Sequence, residues 1–499
     1  STTMAKEKIQ LEAQRTALSY QTRRHFLGRC RTGMGMMAMG SVLDSCNLLT
    51  GNNADGSLVS NPLSPRAPHF QGKAKSVIFL HMAGAPSQLE MFDYKPELQK
   101  MDGLDCPDSF IQGKKFAFIR GVPKLLGPQA NFKQYGQSGL WLSDNLPHFQ
   151  QVIDDVTILK AVNTDQFNHA PAQLLMHCGT PRLGRPSMGS WVTYGLGSEN
   201  SNLPGFVVLT SGGRNPDAGK SIWGSGFLPS VYQGVQCRSE GDPVLFLEDP
   251  NGFDRDMRKA SIEAINNVNE LSYNEYKDPE ILSRISQYEM AFKMQIAVPD
   301  VMSIADEPAY IHEMYGTKPG EESFANNALL ARKLVEKGVR FVQLFDWGWD
   351  SHGTGEDTAL DKGFIGKCLQ TDKAVSALLL DLKQRGLLEE TLVVWGGEFG
   401  RTPMQENRDG KQNSFKGRDH HSEAFSMWMA GGGIKAGFSH GETDPIGYNA
   451  IEGKVSVYDI QATILKQLGF DHEQLTYQFQ GRPFRLTDVF GKPIVPIIA

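Results

Sequence analysis

At 499 residues, with 40% hydrophobic and 21% charged residues, the chain has the composition of a soluble globular protein, which argues against intrinsic disorder and against a bundle of membrane helices. Its net charge is −6, and no Lys/Arg-rich tract stands out beyond the N-terminus. Binding by phosphate neutralisation is thereby disfavoured, so no nucleic-acid partner is expected and a small or carbohydrate-like ligand is.

Residues 1–46 read as a targeting segment. Thr22-Arg23-Arg24-His25-Phe26-Leu27 precedes a mild, Gly- and Met-rich apolar run from Thr32 to Leu43, too short to span a bilayer permanently. The pattern resembles a twin-arginine export signal. It implies the twin-arginine export machinery as a partner, a periplasmic or extracellular destination and no transmembrane anchor. Leu43-Asp44-Ser45-Cys46 is similar to a lipoprotein cleavage box, with Asp44 an awkward member. Lipidation at Cys46, giving a cell-surface lipoprotein, is the lesser alternative. The cysteines beyond this segment, Cys106, Cys178, Cys237 and Cys368, are scattered without a CxxC pair. That pattern excludes a zinc ribbon and leaves one or two disulfides open.

Residues 47–72 are rich in Asn, Ser, Pro and Gly and read as a flexible linker, with one domain over 73–499. Ser76–Met82 is a short apolar run that breaks at Ala83-Gly84-Ala85-Pro86, the pattern of a buried strand ending in a tight loop. Val156–Leu159, Phe206–Leu209, Arg340–Phe345 and Thr391–Trp395 repeat it. Helical spacing of apolar residues marks Ser323–Lys337 and Asp372–Arg385. A charged stretch near 254–294 reads as a helical insertion, and Ser456–Gly469 as a final helix followed by an edge segment over Gly481–Val489. Strand and helix alternating over this length predict an α/β fold, a largely parallel sheet with helices on both faces. Ligands in such sheets collect beyond the carboxyl ends of the strands.

The chemistry-bearing residues fall there. Asp350-Ser351-His352 follows the fourth strand, Glu398 the fifth, and Gly417-Arg418-Asp419-His420-His421 comes shortly after. Imidazole with carboxylate is a donor set that suits a transition metal better than a pure oxygen cage would. A divalent metal is therefore expected, zinc first, with manganese or calcium as alternatives. Ser87 follows the first strand as a potential nucleophile or a simple helix cap. Arg401 is placed to clamp an anion or to pair with a nearby acid. His81 lies on the first strand with its face undetermined, and His177 reads as core.

The segments LHMAGAPSQLEMFDYKPEL, FNHAPAQLLMHCGT, RPSMGSWVTYGLGSENSNLPGFV, GWDSHG, GGEFGRTP, GRDHHSEAFSMWMAGGGIKAG and GRPFRLTDVFG carry a resemblance that covers nearly everything from Lys75 onward. The chain resembles an exported family of unknown function within the alkaline phosphatase and sulfatase superfamily. That likeness implies an alkaline-phosphatase-like core in which metal activates a nucleophile against a phosphoryl or sulfuryl group. It implies Asp350, His352, Glu398 and His420 or His421 as metal ligands, with Asp419 a ligand or an orienting group and Asp346 a spare carboxylate. It puts His169 where the superfamily has its nucleophile, so His169 is a candidate nucleophile or an added ligand. Ala83-Gly84-Ala85 stands where the superfamily has an Asp, which removes part of the expected metal site. The expected function is an exported metal-dependent hydrolase of phosphate or sulfate esters, sulfated polysaccharide among the candidate substrates. The alternative is a catalytically inactive binding or assembly protein that keeps a structural metal.

Overall fold

The computed structural model describes residues 61–238, 255–276, 278–408 and 410–499. The segment expected to direct export, Cys46 and the first part of the expected linker lie outside these residues. Nine strands form one mixed sheet: β1 (Ser76–Ala83), β2 (Val156–Asn163), β3 (Phe206–Ser211), β4 (Val235–Cys237), β5 (Phe341–Trp347), β6 (Thr391–Gly396), β7 (Phe425–Ala430), β8 (Phe438–His440) and β9 (Val455–Ser456). Their order is β8-β2-β7-β6-β1-β5-β3-β4, with β9 pairing on β2. β7 runs antiparallel to both β2 and β6, and every other pairing in the sheet is parallel.

β1 sits at the centre because its sequence, SVIFLHMA, is apolar on both faces and buried throughout. Ile78, Leu80 and Met82 join one core with Leu329 and Leu330 of α5 (Phe324–Glu336) and Leu378 and Leu382 of α6 (Gly363–Gln384). Val77 and Phe79 join the other, with Leu174 and Leu175 of α1 (His169–Cys178), Trp191 of α2 (Met188–Leu196) and Ile460 and Ile464 of α7 (Val457–Gln467). The alternation is the two-residue period of a strand covered on both sides. It also settles the face of His81, which has the parity of Val77 and Phe79 and points toward α1.

The predicted strands and helices appear as such, with α6 longer at its N-terminal end than the pattern suggests. α7 starts on a capping box, Ser456 accepting from the Asp459 N–H and Asp459 from the Ser456 N–H. The stretch near 254–294 forms α3 (Arg255–Tyr276) and α4 (Pro279–Met302). Residues 255–288 belong to a compact unit separate from the one that contains the sheet. The segment expected at the sheet edge, Arg482–Phe484, instead pairs with Tyr477–Phe479 in a hairpin of its own. Cys106, Cys178, Cys237 and Cys368 are buried and free, so none forms the disulfide left open by the sequence. Among the described residues no helix is long and apolar enough to cross a membrane.

Leu344, fully buried in the middle of β5, tests the sheet as the mechanical base. Leu344→Ala should lower stability by about 2–5 kcal/mol, read as a fall in the urea midpoint at unchanged slope.

Candidate metal centre

β1, β2, β5 and β6 all end on the same edge of the sheet, and the site is built from the segments that leave their carboxyl ends. Met82 and Ala83 of β1 pair with Asp346 and Trp347 of β5, and His81 with Gly396 of β6. Asp350 and His352 therefore leave the sheet beside the Gly84 turn, and Glu398 leaves it on the other side. Gly84 has φ +111°, and a Cβ there would stand 2.6 Å from the Asp350 nitrogen. No other residue permits that approach. Gly417 plays the same part for the later loop: a Cβ would lie 2.0 Å from the His352 carbonyl carbon. Arg418 N–H donates to Ser351 O at 3.1 Å, and His420 pairs with Arg401 across a short antiparallel bridge.

His169, Asp350, His352 and His420 converge, with one donor atom from each lying within 4.8 Å of the others. Asp350 Oδ1 is 2.9 Å from His352 Nε2 and 3.4 Å from both His169 Nε2 and His420 Nε2. The His352 and His420 Nε2 atoms are 3.1 Å apart. Ligands about 2.0–2.1 Å from a tetrahedral ion stand roughly 3.3 Å from one another, so these four edges are close to the right length.

The protonation pattern is set by the other ring nitrogens. His169 Nδ1 lies 2.7 Å from Glu398 Oε1 and His420 Nδ1 2.6 Å from Phe167 O. His352 Nδ1 is hydrogen-bonded to Glu406 Oε2. Carbonyls and carboxylates only accept, so each Nδ1 carries a proton, and with the rings neutral each Nε2 presents a lone pair. Three imidazole lone pairs and a carboxylate oxygen then face one point. His169 Nε2 is buried without a hydrogen-bond partner. This donor set fits a bound cation and fits an arrangement of hydrogen bonds poorly.

The electrostatics agree. Burial opposes the Asp350 charge, but the Arg401 guanidinium and the three facing imidazoles hold its carboxyl far below the usual carboxylate range. Glu398 is likewise held low, its burial outweighed by hydrogen bonds to His169 and His81. Burial also opposes charging His169, yet Asp350 and Glu398 raise it to about 9. In the metal-free chain, then, a proton on His169 supplies the missing positive charge. Burial pushes His420 down to about 4.

Glu398 does not join the four donors but braces one of them. It accepts from His169, from His81 Nε2 at 3.1 Å, from Gly84 N–H at 3.0 Å and from Gln173 Nε2 at 3.2 Å. Asp419 is turned away, accepting from the backbone of Phe118, Ile119 and His420 at 2.7, 3.0 and 2.8 Å. His421, next along the strand from His420, points to the opposite side and lies 2.6 Å from Tyr448 O. Ser87 is buried with its hydroxyl on Glu90, which is ion-paired to Arg418; it is not at the cluster as a nucleophile. Asp346 is taken by Ser211, Trp349 and Lys367. Arg401 is fully buried and donates to Gly84 O, Ala85 O, Arg418 O and Asp350. It is a strut for the site, with its guanidinium closed to an incoming anion.

Sequence reasoning missed Glu406 and Gln173 and left the face of His81 open; His81 meets the core residue His177 behind Glu398, their nitrogens 3.1 Å apart. Strand parity carried the signal for His81, since α1 packs on that face. Gln173 was available from its four-residue spacing after His169. Glu406 sits in a loop without neighbouring ligand types and left no signal.

A family model described as "Protein of unknown function (DUF1501)" matches residues 74–498. No curated protein matches the chain. Among solved structures, the PsFucS1 sulfatase from Pseudoalteromonas sp. is similar at 11% identity and a TM-score of 0.36, over 80% of this chain and 68% of that one. Ps i-CgsB in complex with k-i-k-neocarrahexaose matches at 10% identity and 0.34, over 80% and 72%. Alkaline phosphatase from the Antarctic bacterium TAB5 matches at 8% identity and 0.33, over 80% and 99%. Those scores are too low for one structure to speak for another, and the site stands on its own geometry.

Zinc content after dialysis should be about one equivalent per chain. His169→Ala, His352→Ala and His420→Ala should each abolish retention, whereas His421→Ala should keep it. Glu406→Gln should weaken zinc affinity by roughly 10–100-fold while leaving the ligands in place. Equal losses in His420→Ala and His421→Ala would contradict the assignment.

Proposed function

We propose that this chain, which belongs to the DUF1501 family of proteins of unknown function, is an exported metal-dependent hydrolase of phosphate or sulfate esters. The observation that carries the reading is the convergence of His169, Asp350, His352 and His420 at the carboxyl edge of the sheet. Three imidazole nitrogens and one carboxylate oxygen favour zinc, with manganese second, and argue against calcium, which prefers six to eight oxygens. A bound divalent cation supplies Lewis-acid polarisation of an ester oxygen and lowers the pKa of water.

The chain's own residues set the conditions for that chemistry. Arg401 keeps Asp350 ionised through a direct ion pair. Glu398 and Glu406 fix the His169 and His352 tautomers. Phe399 packs on His169 and His420 with ring centroids 5.0 and 4.5 Å apart, lining one wall with apolar surface. His169 has both nitrogens engaged, one toward the cluster and one on Glu398, so it acts as a ligand and not as a nucleophile. The Ser87 hydroxyl is on Glu90. Water is therefore the attacking group, and no covalent intermediate forms on the protein.

The second reading, an inactive protein that keeps one structural metal, draws on the absence of a nucleophilic side chain from the four donors. Assay of the zinc-loaded chain with aryl phosphate and aryl sulfate separates the two. The hydrolase reading expects turnover of at least one ester, lost on chelation and restored by zinc, without a pre-steady-state burst of the aryl alcohol. Full zinc occupancy with no turnover of either would establish the second reading, and a chain that retains no zinc would sink both.

A further inference from the structure

With Arg401 buried and committed, an anionic substrate needs other cations. The site has two of them at its rim, each laid on an aromatic ring. Arg214, in the loop after β3, has its Cζ 3.5 Å from the centroid of Trp347, whose ring is 6.3 Å from that of His169. Arg408 has its Cζ 4.4 Å from the centroid of Phe118, whose ring is 5.4 Å from His352 and 5.6 Å from His420. The two stacks thus border the cluster beside different ligands.

Each guanidinium is held at one point only. Arg214 Nη2 pairs with Asp217 at 3.0 Å and Arg408 Nε with Glu406 at 2.8 Å. Their other N–H groups have no partner among the described residues, and the side chains are 55% and 44% exposed. Stacking fixes the plane of a guanidinium while leaving its donor fork open, which pre-organises it for a bidentate anion.

We infer that Arg214 and Arg408 are the anion-recognising residues of this site, and that its substrate is an oligosaccharide with sulfate or phosphate groups on units flanking the ester to be cut. The inference rests on the hydrolase reading for the ester at the centre. Two separate cationic forks beside one metal cluster suit a ligand with several charges better than a lone monoester. A short carbohydrate is favoured over a nucleic acid because no Lys/Arg-rich tract beyond the N-terminus offers the continuous basic track that a phosphodiester backbone needs.

Calorimetric titration of the zinc-loaded chain tests this with a heparin-derived hexasaccharide, an uncharged dextran hexasaccharide, inorganic sulfate and single-stranded DNA of matched charge. The heparin fragment should bind at least about tenfold tighter than the other three. Arg214→Ala and Arg408→Ala should each weaken it by roughly tenfold and together by roughly a hundredfold, the range of charge-assisted hydrogen bonds. Zinc content should not change. Wild-type affinity in the double variant, or a heparin fragment bound no tighter than sulfate or dextran, would overturn the proposal. Tighter binding of the DNA would overturn the carbohydrate assignment. Failure of the hydrolase reading is seen separately, as a zinc-loaded chain without ester turnover. Turnover together with an unaffected double variant would refute the recognition role alone.

Discussion

Three imidazole nitrogens and one carboxylate oxygen meet at one point, and much of the surrounding structure keeps them there. The distances from Asp350 Oδ1 to the three Nε2 atoms, 2.9 to 3.4 Å, match the spacing of ligands around one ion. Bringing such groups together and away from water costs free energy unless a cation joins them. When none is bound, the raised basicity of His169 is the response that electrostatics requires: a proton takes the cation's place.

The fold supplies the rigidity that this demands. The donors do not share an element; they come from α1, from the loop after β5 and from the bridge after β6. Two buried arginines tie these segments together. Arg401 joins the Gly84 turn to Asp350 and to the Arg418 carbonyl. Arg418 joins Glu90 to the carbonyls of Leu126, Gly127 and Thr402. Each buried charge has an acidic partner and several carbonyls, which is the condition for a buried ion pair to be tolerated. The Ala83-Gly84-Ala85 turn offers Arg401 its carbonyls in place of an acid, and among the described residues one cluster of donors forms.

Much of this was legible in the sequence, for physical reasons that also set its limits. Strands such as Ser76–Ala83 announce themselves because a central parallel strand must be apolar on both faces. β7, Phe425–Ala430, was not: its sequence, FSMWMA, lacks β-branched residues, and its antiparallel course depends on partners distant in the chain. Residue type pointed to Asp350, His352 and His420, but it could not separate His420 from His421. Adjacent strand residues face opposite sides, and only the bridge to Gly400 and Arg401 fixes which side is the site. The same limit applied to Arg401 and Asp419, whose side chains serve backbone groups that no spacing reveals. His169 carried both roles until its ring was placed between Glu398 and the cluster, where it acts as a donor.

X-ray absorption at the zinc K-edge of the loaded protein tests the central claim most directly. The account predicts a shell of nitrogen and oxygen at about 2.0 Å, four protein donors with room for one further oxygen from water, with the outer-shell scattering of three imidazoles and no sulfur. A six-coordinate oxygen shell, a sulfur scatterer or fewer than two imidazoles would contradict it.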